Sequence, residues 1–191
     1  MSNRLTFILE KDGPNLLKVS NQNFSNDFIS EKFLDSCVFD DSNLLNCHFE
    51  ESEFLGNTFI SCLFENCTFK NTIIRKSKFT NCQFVNCQFV NCNLAPRVEF
   101  FGTSFINCQF SNVDFSSIFL SKCEFINIDL DIIKFEDTVI VGLKSNNIAF
   151  KNLEFNESKP MKIFKSKKDF FLDEGIQVRN SLEFLTQIEM N

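Results

Sequence analysis

The chain has 191 residues, 19 Lys plus Arg against 25 Asp plus Glu, and a formal net charge of −6. That length is enough for one domain with a substantial core, and the acidic balance disfavours direct nucleic-acid binding, which needs a basic stripe. Twenty-seven Phe with no Tyr or Trp imply rings stacked in a dry interior, where no hydroxyl or indole N–H is wanted.

Met1 to Leu9 contains no long apolar run and no signal-peptide plan, and no segment approaches the length of a membrane span. Nine Cys without such a signal point to a reducing, cytoplasmic setting, and the odd count argues against a purely intramolecular disulfide framework. Leu5, Phe7 and Leu9 alternate, Lys11-Asp12-Gly13-Pro14 is turn chemistry, and Leu17 and Val19 alternate again. This predicts a hairpin or strand-loop cap over residues 1–23.

From there a period of five takes over. Phe24, Ile29 and Leu34 lead into an unbroken series: Phe39, Leu44, Phe49, Phe54, Phe59, Phe64, Phe69, Ile74, Phe79, Phe84, Phe89 and Leu94. After one extra residue the series resumes at Phe100 and runs through Phe105, Phe110, Phe115, Leu120, Phe125, Leu130, Phe135 and Ile140. Ser145 breaks it, and Phe150 and Phe155 rejoin it. Neither a helix nor an ordinary strand has this period. All nine cysteines lie two residues before a member of the series, as do Ser42, Ser52, Thr72 and Thr103. Two residues apart on an extended chain means one side of the backbone, so each unit turns one small and one large residue inward.

The unit, seen almost pure in Asn81-Cys82-Gln83-Phe84-Val85-Asn86-Cys87-Gln88-Phe89-Val90, resembles that of the pentapeptide-repeat family. The resemblance covers about residues 24–157. It implies an all-β solenoid, a right-handed quadrilateral parallel β-helix with four units per coil. Reading every twentieth residue tests that rule. One wall becomes Phe49, Phe69, Phe89, Phe110, its neighbour Phe64, Phe84, Phe105, Phe125, and one cysteine column Cys47, Cys67, Cys87, Cys108. These are the expected structural core, stacked in roughly six coils at ~4.8 Å spacing.

The fault at Ala95-Pro96-Arg97-Val98-Glu99 is a one-residue break, read either as a plain bulge or as a kink that shapes a binding surface. Beyond Phe155 the pattern stops and Pro160 marks the exit, leaving 158–191 as a helical cap. Ser166 and Asp169 have capping-box spacing for a helix ended by Gly175. A second helix over 181–189 carries Leu182, Leu185 and Ile188 on one stripe with Phe184 flanking. That stripe either caps the last coil or makes a homodimer contact, as the resemblance to the quinolone-resistance branch implies.

Catalytic and metal chemistry have little support. The one histidine, His48, precedes Phe49 and points outward, the Cys spacing of five is not that of zinc sites, and no phosphate-binding glycine loop is present. No enzyme activity, metal or cofactor is expected, and the cysteines are expected as buried free thiols. The outward charges are zoned. Nine acids between 27 and 65 (among them Asp27, Asp40, Asp41, Glu50, Glu51, Glu53 and Glu65) face a single base. Lys70, Arg75, Lys76, Lys78 and Arg97 then follow without an acid. The run Phe64-Glu65-Asn66-Cys67-Thr68-Phe69 through Leu94 looks most like the albicidin- and microcin-resistance relatives of the quinolone-resistance (Qnr) proteins. That likeness implies a DNA mimic acting on DNA gyrase, with Asp40, Asp41, Glu50, Glu51, Glu53 and Glu65 as the partner-binding acids. The alternative is a scaffolding module that binds another protein along a wall or dimerises, with no topoisomerase role.

Overall fold

The computed structural model describes residues 5, 6, 8, 15–171 and 173–189. Three-residue strands recur every five residues from Lys18–Ser20 to Gln88–Val90, each with its central residue buried. Each strand pairs in parallel with the strand twenty residues on: Val19 with Phe39, Phe64 with Phe84, Phe69 with Phe89. Across the break the step is 21, so Phe79 meets Phe100, Phe84 meets Phe105 and Phe89 meets Phe110, and beyond it the step returns to 20. The result is a four-sided parallel β-helix of about seven coils.

Four walls follow. Wall A is centred on Val19, Phe39, Phe59, Phe79, Phe100, Leu120, Ile140 and Ile163. Wall B is centred on Phe24, Leu44, Phe64, Phe84, Phe105 and Phe125, and wall C on Ile29, Phe49, Phe69, Phe89, Phe110 and Leu130. Wall D carries Leu34, Phe54 and Ile74 and continues to Phe135 and Phe155. Rings stack face to face through the middle of walls A, B and C, at 4.5 Å for Phe64–Phe84 and 4.7 Å for Phe69–Phe89, and turn edge-on at Phe105–Phe125. Across a corner they meet at an angle, as in Phe84–Phe89 at 5.7 Å and 60°. Offset stacks and tilted edges satisfy the ring quadrupole, and each buried ring adds roughly 2–3 kcal/mol from area alone.

The corners explain the remaining residues of the unit. Each is turned by a residue with positive φ, such as Asn46 (53°), Asn66 (54°) and Asn86 (54°), and Asn tolerates this left-handed conformation better than most side chains. The small inward residue follows immediately. Its polar atom finds a carbonyl of the coil below: Cys67 Sγ donates to Leu44 O at 3.2 Å and Thr72 Oγ1 to Phe49 O at 3.2 Å.

The coils extend past the 24–157 span at both ends. Lys18–Ser20 stacks beneath Val38–Asp40, and Met161–Phe164 stacks on Val139–Val141 after a step lengthened to 23. Below the first coil Leu5, Thr6 and Ile8 are helical, in place of the expected extended segment. The reason is Asp27, which fills the inward small position and is 2% exposed. Its carboxylate accepts from Leu5 N at 2.8 Å and Thr6 Oγ1 at 3.0 Å, capping the first turn while Leu5 plugs the core. Phe7, Leu9 and the turn read at 11–14 lie outside the described residues.

At the fault, the Ala95–Pro96 peptide is cis and the extra residue is absorbed before the corner at Arg97. Val98 then drops into the column of Ser77, fully buried, and Glu99 N donates to Ser77 O. At the other end helix α1 (Lys167–Phe171) begins where Asp169 N donates to Ser166 Oγ at 3.2 Å. Ile176–Val178 returns antiparallel to Met161–Ile163, with Gly175 so close over the Phe164 ring that no Cβ fits. Helix α2 (Ser181–Glu189) starts at Asn180, whose Oδ1 accepts from Glu183 N at 2.9 Å.

Candidate functional site: the outer columns

Because residue n lies beneath residue n+20, the charge zones that are separate along the chain become neighbours in space. Glu50 is ion-paired to Lys70 at 2.6 Å, and Glu53 is paired to Arg75. Lys78 holds Glu99 at 3.1 Å, Lys144 holds Glu124 at 3.1 Å and Lys151 holds Asp131 at 3.7 Å. The basic stretch after residue 70 therefore neutralises part of the acidic one before it. Asp40, Asp41, Glu51 and Glu65 have no ion pair among the described residues. The six candidate acids are also spread around the rod. Asp40 ends a wall A strand and Asp41 turns the next corner, Glu65 ends a strand of wall B, Glu50 and Glu51 close wall C, and Glu53 opens wall D. They do not converge on one face, and Asp27 is not on the surface at all.

The strongest carboxylate perturbation lies elsewhere. Glu136 accepts from Lys159 Nζ at 2.8 Å and sits 3.4 Å from Lys134 Nζ, which pulls its carboxyl down to about 2, Lys159 contributing most. This pair clips the loop at 156–160 onto wall D.

An asparagine ladder was not anticipated from the sequence. Asn26, Asn46, Asn66, Asn86, Asn107, Asn127 and Asn147 climb the corner between walls B and C. Each Nδ2 donates to the Oδ1 one coil below, at 2.9–3.2 Å. The signal was present in the Asn that precedes Cys47, Cys67, Cys87 and Cys108. A shorter ladder links Asn71, Asn91 and Asn112 at the next corner.

Wall B carries half-buried Leu45, Leu63, Val85, Ile106 and Ile126 on its outside, and wall A carries an apolar strip of its own. Val38, Thr58, Ile60, Thr80, Phe119 and Val139 are half-buried and Phe101 is 43% exposed. Helix α1 lies over the carboxyl-terminal end of this wall, Phe170 meeting Phe119 at 5.7 Å and Phe164 at 5.2 Å.

The remaining candidates are placed as follows. Phe49, Phe69, Phe89, Phe110, Phe64, Phe84, Phe105, Phe125, Cys47, Cys67, Cys87 and Cys108 are at most 3% exposed. All nine cysteines are free and buried, and burial pushes the Cys92 thiol up to about 11 and that of Cys123 to about 12. His48 is exposed. Among the described residues no group of three or more His, Cys, Asp and Glu is placed to hold a metal ion, and no helix is long and apolar enough to cross a membrane. On α2 the packed residue is Phe184, 1% exposed against Phe135, Phe150 and Phe155, whereas Leu182 is 73% exposed. The helix turns the first toward the last coil and the second away. The side chains of Leu185 and Ile188 lie outside the described residues.

Comparison with known proteins adds the following. The model of a family described as the SV2A/B/C luminal domain matches residues 7–89, less than half of the chain. No curated protein sequence matches the chain. Among solved structures, the chain is similar to Rfr23, a pentapeptide-repeat protein of the cyanobacterium Cyanothece. Identity is 10% over 76% of this chain and 97% of that one, with a TM-score of 0.41. It is also similar to QnrB1, a plasmid-mediated fluoroquinolone resistance protein, at 13% identity over 72% and 91%, TM-score 0.39. A third is HetL of Nostoc, a pentapeptide-repeat protein involved in heterocyst differentiation regulation, at 8% identity over 80% and 92%, TM-score 0.22. By its own five-residue unit, twenty-residue register and four stacked walls, the chain has the fold of a pentapeptide-repeat β-helix.

Proposed function

We propose that the chain is a non-catalytic, protein-binding rod that receives an apolar partner segment on the outside of wall A. The observation that carries this is the half-buried strip Val38, Ile60, Phe101 and Phe119, whose far end already holds the chain's own Phe170. A sheet face that packs one aromatic segment can take another, and clustered exposed apolar side chains mark interaction surfaces. Free, buried thiols suit a reducing compartment, so the cytoplasm is the proposed setting. Leu182 is the described side chain through which α2 would contact a second copy. Quantitative affinity capture from host lysate tests the reading, comparing wild type with Ile60→Asp and Phe101→Asp. The variants should lose the partners that wild type retains; identical capture by all three would sink it.

A gyrase-directed DNA mimic is the second reading. It is favoured by the net charge of −6 and by the four acids without an ion pair, Asp40, Asp41, Glu51 and Glu65, in neighbouring coils. A supercoiling assay with and without a fluoroquinolone tests it. Rescue or inhibition that disappears in Asp40→Lys/Asp41→Lys supports it, and no effect at any protein ratio rejects it.

A further inference from the structure

Of the five bases between 70 and 97, three are neutralised by ion pairs, Lys70, Arg75 and Lys78. Lys76 and Arg97 are exposed and have no ion pair among the described residues. They occupy one corner column, between walls D and A. Lys76 N donates to Pro96 O at 3.1 Å and Arg97 N to Ser117 O at 3.0 Å, which stacks the two residues on successive coils. Strand spacing sets that backbone step at ~4.8 Å, so the two cationic side chains leave the same corner one above the other and one anion can reach both.

A second observation concerns the same turn. Arg75 Nε and Ser116 Oγ, in the coils before and after the break, are buried without a hydrogen-bond partner. The coil is thus under-satisfied where the extra residue enters, and such atoms are completed by water or by a ligand. A groove of about 510 Å³ opens from this turn onto wall A, with Pro96, Phe119 and Val139 as its apolar surface and Arg97 at one edge. Its acids are Glu99, held by Lys78, and Asp137, two coils beyond Arg97 in the corner column.

We propose that this groove docks an extended segment of a partner protein that carries a carboxylate residue beside a large apolar one. The carboxylate lies between Lys76 and Arg97, and the apolar side chain rests on Pro96, Phe119 and Val139. The choice of partner follows from charge: on a chain of net −6, this corner stacks two cations without an ion pair on successive coils beside an apolar groove, and complementarity of this kind sets both specificity and association rate. Asp137 at the far end excludes a segment that is acidic throughout its length. The inference rests on the protein-binding reading and gives that rod a site and a partner chemistry.

The test is fluorescence anisotropy of full-length protein with a labelled peptide of about ten residues that carries one Glu-Leu pair in a neutral Gly/Ser background, and a control with Lys for Glu. The Glu–Leu peptide should bind and the Lys–Leu peptide should not. The exposed double variant K76E/R97E should weaken binding about tenfold or more while melting at an unchanged temperature. The proposal is overturned if the Glu–Leu peptide does not bind wild type, if K76E/R97E binds it as tightly, or if inorganic phosphate alone displaces it fully, which would make this a site for a free oxyanion. Binding retained in K76E/R97E but lost in Phe101→Asp overturns this site and leaves the protein-binding reading standing.

Discussion

Lys70 Nζ lies 2.6 Å from Glu50 Oε1, directly one coil above it, although the two belong to oppositely charged stretches of the chain. The same step joins Lys144 to Glu124, and Arg75 reaches Glu53 diagonally between successive coils. Charge along this chain is therefore patterned for vertical pairing as much as for display. Replacing Lys70 by Glu would put two carboxylates on successive coils. The melting temperature should fall at low ionic strength and recover with salt, because exposed like charges are screened within about 10 Å at 0.1 M. Melts at two salt concentrations check this.

The aromatic stack should dominate stability. Phe84 is 1% exposed and stacks on Phe64 and Phe105 at 4.5 and 4.9 Å. Phe84→Ala removes the ring from the middle of the rod, where the neighbouring coils cannot collapse into the space. A loss of about 3–5 kcal/mol is expected from denaturant unfolding.

The asparagine ladder separates two effects at one position. Asn66 donates to Asn46 and accepts from Asn86 while holding φ at 54°. Asn66→Gly deletes the ladder bonds and keeps the backbone conformation; Asn66→Ala deletes them and adds left-handed strain. The alanine variant should be the less stable of the two by about 1–2 kcal/mol. Equal stabilities would mean the corner carries no conformational cost.

Asp27 ties the amino-terminal helix to the first coil. Asp27→Ala leaves Leu5 N and Thr6 Oγ1 without their acceptor, and about 1–3 kcal/mol should be lost. The Leu5 amide should exchange faster in the variant, measurable by hydrogen exchange, while amides of the central walls remain protected.

Acid should release the loop at 156–160 late. Lys159 and its neighbours hold the Glu136 carboxyl at about 2 in the folded chain, below the ordinary range near 4.3. A depressed folded value stabilises the native state above the unfolded pKa, and this contribution is lost as pH falls toward about 2. An NMR titration of the Glu136 side chain should show its midpoint near 2, moving upward in Lys159→Met.

How much of this was legible beforehand divides by interaction range. The period of five exposed the coil, the four walls and the columns of Phe and Cys, since each unit repeats the same in-or-out choice and stacking like on like multiplies it. Ser166 and the two short carboxyl-terminal helices were also readable, because capping is local chemistry, while the Asn180 cap of the second went unread. The asparagine ladder was readable in principle from the Asn before each Cys, but its hydrogen bonds join residues a coil apart. The packing choice on α2, Phe184 inward and Leu182 outward, depends on which ring the last coil leaves uncovered, Phe135, Phe150 and Phe155 together.

By itself, then, the sequence determined that this protein is a four-sided solenoid with a Phe core, because burying one large residue in five fixes the path of the backbone. Only the tertiary structure decided the character of its surface. It paired Glu50 with Lys70 and Glu53 with Arg75, took Asp27 inside, and left Lys76 and Arg97 without an ion pair among the described residues, beside the groove at Pro96. Charge compensation acts through space between successive coils, and the one-residue break before Arg97 sets which residues share a column from there on.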